Sequence, residues 1–147
     1  MIDVRVDSER PYQALVALCA GEKDLPCRIS FLDETIVRVT VDPTGAFAQY
    51  ATPRSPEHAA RIVAQPDESD VYAHPSAFVR DEGATLAVCA GDTEVLVDKD
   101  DGRLTFRLRG RVVMREAAPL ELGPRRSTQK LAAAPGERFF GGGTQNG

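Results

Sequence analysis

Residues 27–42 have the sequence CRISFLDETIVRVTVD, and this stretch decides the fold class. Its first part, Cys27–Leu32, alternates apolar and polar side chains. Its second part, Thr35–Asp42, is dominated by β-branched residues that arginine and threonine interrupt. Only Asp33 and Glu34 separate the two parts. Two such runs joined by a short polar turn predict a β-hairpin.

Similar alternation continues toward the C-terminus, where glycine-containing turns separate short apolar runs. The predicted strands are Ala77–Arg80, Ala84–Cys89, Thr93–Val97, Leu104–Leu108 and Arg111–Arg115, with a weaker candidate at Gln129–Ala132. Strands that recur about every 8–12 residues with turns between them are typical of a two-sheet fold. We therefore predict a mainly β protein, an antiparallel β-sandwich.

Two segments leave alternatives open. In Pro11–Gly21 (PYQALVALCAG) the apolar residues fit helical spacing, yet the same residues suit a buried strand. The stretch Gly45–Ser69 contains three prolines and is irregular. There, a helical turn that begins near Ser55 and a short strand at Arg61–Ala64 are equally consistent with the sequence.

Composition sets outer limits on the class of protein. The chain has 147 residues, of which 42% are hydrophobic and 27% are charged, as expected of one globular domain over residues 1–147. The net charge of −4 argues against a nucleic-acid partner. The longest apolar stretch, Ala14–Ala20, is too short to span a membrane. An N-terminus without a signal-peptide pattern and three widely spaced cysteines predict a cytoplasmic location.

Sites for metals, cofactors and catalysis find little support. The acidic turn Asp98–Gly102 has the wrong spacing for an EF-hand loop. His58 and His74 have no neighbouring ligands at metal-binding spacing. We expect no metal, no cofactor and no catalytic residue.

Four arginines lie at alternate positions and are predicted to share one strand face. They are Arg103, Arg107, Arg109 and Arg111. This face is either a solvated outer surface or a charged interface with another domain.

The C-terminal segment Glu137–Gly147 (ERFFGGGTQNG) carries the most specific signal. Two aromatic residues run into three glycines, a composition that suits close approach of another backbone or a ligand. The sequence ends there without a polar tail, so we expect the chain to be a piece of a longer protein.

This segment resembles the N-terminal domain of glycoside hydrolase family 31, and in particular a branch with the form Glu-Arg-Phe-Phe-Gly-Gly-Gly, a variable residue, then Gln-Asn-Gly. Two further stretches, Phe31–Phe47 and Thr93–Phe106, are similar to a strand pair and a hairpin of that domain. The resemblance covers Cys27–Gly147. It implies a galactose-mutarotase-like β-sandwich.

The resemblance also implies a role. Family 31 enzymes are retaining α-glycosidases and related enzymes, and both catalytic aspartates lie in a (β/α)8 barrel. Such a barrel needs about 250 residues, so it does not fit in this chain. The implied role is a non-catalytic domain that packs on the catalytic barrel of the same chain and extends to the rim of a pocket for an α-linked carbohydrate.

Residue roles follow from the resemblance and from side-chain chemistry. The expected interdomain contacts are Phe139, Phe140, Gly141, Gly142 and Gly143. Gln145 and Asn146 are candidates for hydrogen bonds to sugar hydroxyls. The alternatives are a free-standing carbohydrate-binding sandwich and an interaction module that uses the arginines between Arg103 and Arg111.

Overall fold

The computed structural model describes residues 2–20, 23–47, 71–123 and 126–137, and the regular structure in these ranges consists of β-strands. In chain order they are β1 (Val4–Val6), β2 (Gln13–Ala20), β3 (Lys23–Asp33), β4 (Ile36–Val41), β5 (Phe78–Asp81), β6 (Thr85–Ala90), β7 (Thr93–Asp98), β8 (Leu104–Leu108), β9 (Arg111–Arg115), β10 (Glu121–Leu122) and β11 (Ser127–Thr128). These ranges contain no helix of the length and apolar character needed to cross a membrane.

The strands form two main sheets, and every neighbouring pair is antiparallel. Sheet 1 has the order β1-β2-β3-β4, and sheet 2 has the order β5-β6-β7-β8-β9. A small ribbon of β10 and β11 follows. Because each strand pairs with its neighbour in sequence, both sheets are simple meanders.

The hydrophobic core lies between the two sheets. Alternate side chains of the central strands point inward, as expected for a sandwich, and a second small apolar cluster of Ala87, Cys89 and Leu96 is buried on the other face of sheet 2. Sheet 1 and the residue preceding it contribute Ile2, Ala14, Val16, Leu18, Leu25, Cys27, Ile29 and Phe31, and sheet 2 contributes Val88, Ala90, Val95, Val97, Leu104 and Phe106. The prediction of a mainly β antiparallel sandwich is confirmed.

The hairpin predicted from residues 27–42 is present as β3 and β4. Cys27 pairs with Val41 and Phe31 with Val37, and a register shift follows Phe31. The segment that left helix and strand open is the strand β2, which pairs with β1 on one side and β3 on the other. Pairing on both sides satisfies the backbone hydrogen-bonding groups of β2. Local sequence alone does not specify this pairing.

Two expectations are corrected. The strand expected at Gln129–Ala132 is reduced to one bridge between Leu131 and Glu116. The predicted arginine face is wrong because Arg109 and Gly110 form a turn with positive φ angles of 51° and 75°. The turn reverses the chain and breaks the alternation, so Arg107 lies on β8 and Arg111 on β9.

A tight turn follows β4 and is organised by one carboxylate. Asp42 is buried, and its Oδ1 accepts hydrogen bonds from the Thr44 amide at 2.9 Å and the Thr44 hydroxyl at 2.7 Å. Its Oδ2 accepts the Phe47 amide at 2.8 Å. Phe47 has a φ of 47°, an unusual conformation for a bulky residue, and the bond from Asp42 helps to hold it.

We expect Asp42→Asn to destabilise this turn at neutral pH, because an amide has one acceptor oxygen in place of two. The hydrogen bonds, that from the Thr44 side chain first, hold the pKa of Asp42 below its ordinary value of 3.8. The contribution of a group with a lowered pKa is present above its unfolded value and is lost as the pH falls through the folded value. The difference in melting temperature between wild type and variant is therefore expected to stay constant down to about pH 5 and to shrink as the pH falls further, through 3.8 and below. Asp100→Asn, in an exposed turn, is the control; a difference independent of pH contradicts this account.

Candidate docking surface

Strand β9 is an exposed apolar strand at the edge of sheet 2. Its sequence is Arg-Val-Val-Met-Arg, and Val112, Val113 and Met114 are 56%, 58% and 36% exposed. An exposed apolar edge invites association unless a partner covers it. β9 therefore marks a candidate docking surface.

A groove of about 660 Å³ opens on the inner side of β9, between the edges of the two sheets. Its walls come from both sheets, with valines of β4 opposite the apolar side chains of β8 and β9. The apolar lining residues include Val37, Val39, Val41, Phe106, Leu108, Val113, Met114, Leu120 and Leu122. The groove forms because β4 and β9 leave this side of the sandwich open.

A second groove, of about 510 Å³, lies along β9 and the segment that follows β11. Its lining includes Val112, Leu131 and the run Ala132–Pro135. Val113 and Met114 belong to both grooves. We call β9 and its two grooves the β9 surface.

Glu116 holds the segment beside β9 in place. Its side chain is buried, with Oε2 accepting the Leu104 amide at 2.8 Å and Oε1 accepting Gln129 Nε2 at 2.8 Å. Backbone bonds from Ala117 N to Lys130 O and from Ala132 N to Arg115 O, at 2.8 and 2.9 Å, complete the attachment. One carboxylate thus connects sheet 2 to the outer wall of the β9 surface.

The backbone edge of β9 is poorly suited to strand addition. Phe106 pairs with Met114 and Arg107 with Val112, which leaves Val113 as the extra residue of a β-bulge. Arginines stand at both ends of β9, so antiparallel pairing with a second copy would place like charges opposite each other. Bulges and edge charges are devices that oppose edge-to-edge pairing. The β9 surface therefore offers side chains, rather than backbone groups, to a partner.

Comparison with known proteins identifies the family. A model of the glycosyl hydrolase 31 N-terminal galactose mutarotase-like domain matches residues 26–147. The chain belongs to this family. The match begins within β3 and spans all strands that follow, so the resemblance drawn from the sequence is confirmed.

This family 31 domain was also compared with curated proteins and with solved structures. A search of curated proteins finds no match. Among solved structures, the crystal structure of a family 31 α-xylosidase from Xanthomonas citri is similar, with 24% identity and a TM-score of 0.44. The similarity covers 73% of this chain and 11% of the α-xylosidase chain. The chain thus corresponds to a small part of that protein.

The site residues predicted from the C-terminal motif of this family 31 domain lie outside the described residues. They are Phe139, Phe140, Gly141, Gly142, Gly143, Gln145 and Asn146. The first residue of the motif, Glu137, is described and lines the second groove of the β9 surface. Its Oε2 accepts the Ala134 amide at 2.8 Å.

The outer face of sheet 2 in this family 31 domain carries a closed network of ion pairs. Arg80 lies 2.6 Å from Glu82 and 2.7 Å from Glu94, and Arg107 lies 3.2 Å and 3.6 Å from the same two carboxylates. The bond from Arg80, above all, holds the pKa of Glu82 below its usual range. Burial raises the pKa of Cys89, which lies 3.8 Å from Glu94. Arg107 pairs with carboxylates of the same domain. Its position therefore supports a solvated outer face rather than a charged interface with another domain.

Side chains that could act as nucleophiles or metal ligands are few in the described ranges. Cys27 is a free, buried thiol, and burial, with a smaller effect of the Glu116 charge, raises its pKa to about 12. Such a thiol is a poor nucleophile and serves as an apolar core residue. Residues 2–20, 23–47, 71–123 and 126–137 contain no group of three or more His, Cys, Asp or Glu side chains that could hold a metal ion.

Proposed function

We propose that this chain is the non-catalytic N-terminal domain of a family 31 retaining α-glycosidase that acts on an α-linked carbohydrate. It packs on the catalytic (β/α)8 barrel of the same chain through the β9 surface. The observation that carries the docking role is the exposed apolar strand β9 between two grooves. Family membership supports the wider assignment.

The physical basis for docking is the apolar area that β9 leaves exposed. Fully burying a valine or methionine side chain contributes about 1.5–3 kcal/mol. Interfaces between domains of one chain bury about 600–1,500 Å² and are more polar than obligate interfaces. Apolar side chains in the centre, flanked by Arg111 and Arg115, match that composition.

The carboxylate side chains indicate which domain carries out the catalytic reaction. Retention at the anomeric carbon needs two carboxyl groups about 5–5.5 Å apart, one as nucleophile and one as acid and base. The described carboxylates with clear roles organise turns, pair with basic side chains or anchor a segment, as Asp42, Glu82 and Glu116 do. We therefore assign the catalytic chemistry to the barrel. The role of this domain is to support the barrel and the rim of its pocket. We also propose a cytoplasmic location for the whole protein.

The coding frame beyond Gly147 tests the wider assignment. We expect it to continue for several hundred codons, with alternating strands and helices and aspartates at strand ends. A stop codon directly after Gly147 contradicts the proposal and favours the free-standing sandwich.

The docking role is tested on the chain itself. We expect it to self-associate at high concentration, and Val113→Glu to reduce that association, because the new charge interrupts the apolar surface. Phe78→Glu is the matched control, since Phe78 is 55% exposed on β5, the opposite edge of sheet 2. Sedimentation velocity measures both variants. A wild-type chain that stays monomeric, or equal effects of the two variants, counts against docking through β9.

A further inference from the structure

A separate pocket lies on the outer face of sheet 1, away from the β9 surface. It has a volume of about 330 Å³. Its apolar lining includes Leu15, Ala17 and Pro26, which are neighbours on β2 and β3, and Phe47 forms a wall. Asp3 and Arg5 stand at its rim. The volume is at the low end of small-molecule sites, so the pocket suits a compact ligand.

The aromatic wall is held by several contacts. The Asp42 carboxylate bonds the Phe47 amide, and the Arg28 guanidinium lies 5.0 Å from the centre of the Phe47 ring. Gly45 brings the same loop against sheet 1, where a Cβ would lie 3.5 Å from Pro26 Cγ. A non-glycine residue with positive φ persists only where its surroundings hold it, and such residues concentrate at functional sites. The ring of Phe47 is thus placed in advance.

The rim supplies polar groups of both kinds. Asp3 and Arg5 are exposed, and neither side chain makes an ion pair or hydrogen bond within the described part of the chain. Arginine only donates hydrogen bonds and an ionised aspartate only accepts them. A ligand in this pocket therefore meets one donor, one acceptor, an apolar floor and an aromatic wall.

We propose that this pocket binds one sugar ring of a saccharide. The C–H face of a pyranose stacks on the Phe47 ring, while neighbouring hydroxyls, which both donate and accept, bond to Asp3 and Arg5. The two rim charges have opposite signs, so the rim as a whole favours neither an anion nor a cation, and a neutral polyol can bond to both side chains. This binding site goes beyond the docking role, since it lies on sheet 1 and does not involve β9.

A titration on the isolated chain tests the proposal. Backbone amide chemical shifts are followed while glucose, xylose, galactose or maltose is added separately to about 100 mM. We expect at least one sugar to shift the amides of Arg5, Leu15 and Ala17 with a millimolar dissociation constant. If no sugar shifts these amides, or if shifts arise only elsewhere, the proposal is overturned.

Two variants separate ligand contact from folding. Phe47→Asn removes the ring but keeps a residue that tolerates positive φ, and we expect it to weaken binding about tenfold. Asp3→Ala changes an exposed side chain and is expected to weaken binding severalfold with an unchanged melting temperature. Arg109→Gln, in a turn of sheet 2, is the control and should bind as wild type. Wild-type affinity in both Phe47→Asn and Asp3→Ala refutes the site, whatever the outcome of the docking experiment.

Discussion

Replacing Phe31 with alanine is expected to destabilise the sandwich by about 3–5 kcal/mol. Phe31 has no exposed surface and belongs to the core between the two sheets. Removal of the ring leaves a cavity in the core. Because Phe31 is paired with Val37 on β4, the strands cannot easily move to fill that cavity. Single domains are stable by only about 0.05–0.15 kcal/mol per residue, so this loss is a large share of the total. Denaturant unfolding of the purified chain measures it.

The matched control is Val113→Ala, on the exposed strand β9. Val113 is 58% exposed, so its truncation removes little buried area, and we expect a change within about 0.5 kcal/mol. The two substitutions therefore distinguish core from docking surface, although both positions carry an apolar residue within a strand. Comparable losses at the two positions would show that β9 is part of the folding core and would remove the basis for docking.

Much of the sandwich was predictable because its strands alternate cleanly. The hairpin of β3 and β4 and the strands β6 to β9 follow from local pattern and turn residues, to within one residue in sheet 2 and a few residues at the start of β3. The local sequence does not decide β2, because Tyr12, Leu15, Val16 and Cys19 have helical spacing while the same segment suits a buried strand. What selects the strand is pairing with both β1 and β3, which depends on residues distant in sequence.

The candidate docking surface was predicted only in part. The sequence identifies Arg111–Arg115 as a strand, but exposure follows from its position at the edge of sheet 2, which periodicity does not reveal. Three consecutive apolar residues broke the alternation and were the available signal for the bulge. The prediction that the four arginines share one strand face is wrong because Arg109–Gly110 is a two-residue turn. Both of its φ angles are positive, a geometry typical of hairpins.

The family was predictable mainly from a motif of which the structure describes only the first residue, Glu137. The segment Glu137–Gly147 carried the resemblance, and the family match to residues 26–147 includes it. The expected roles of Phe139, Phe140, Gln145 and Asn146 stay predictions. The described strands show the fold, whereas the motif that is most specific for the family lies mostly outside the described residues.

Glu116→Ala is the second substitution with a large expected effect, a loss of about 2–4 kcal/mol. The carboxylate is buried and accepts hydrogen bonds from Leu104 N and Gln129 Nε2. Truncation leaves both donors without their acceptor and frees the segment that forms the outer wall of the β9 surface. Glu121→Ala, at an exposed position, is the control and should change stability by less than about 0.5 kcal/mol. Denaturant unfolding again measures both.

Glu116→Gln separates the charge of this group from its hydrogen bonds. The new amide oxygen still accepts the Leu104 amide, and its NH₂ group meets the side chain of Gln129. If the Gln129 amide rotates by half a turn, its oxygen accepts that NH₂ group and both bonds persist.

We therefore expect Glu116→Gln to lose less than half of what Glu116→Ala loses. Gln129→Glu alone is expected to destabilise strongly, because it places two carboxylates together. Combining Glu116→Gln with Gln129→Glu restores a donor opposite each acceptor, so the double variant should be more stable than Gln129→Glu alone. If the two changes add without this recovery, the contact between positions 116 and 129 does not anchor the wall of the β9 surface. The docking proposal would then need another element to hold that wall.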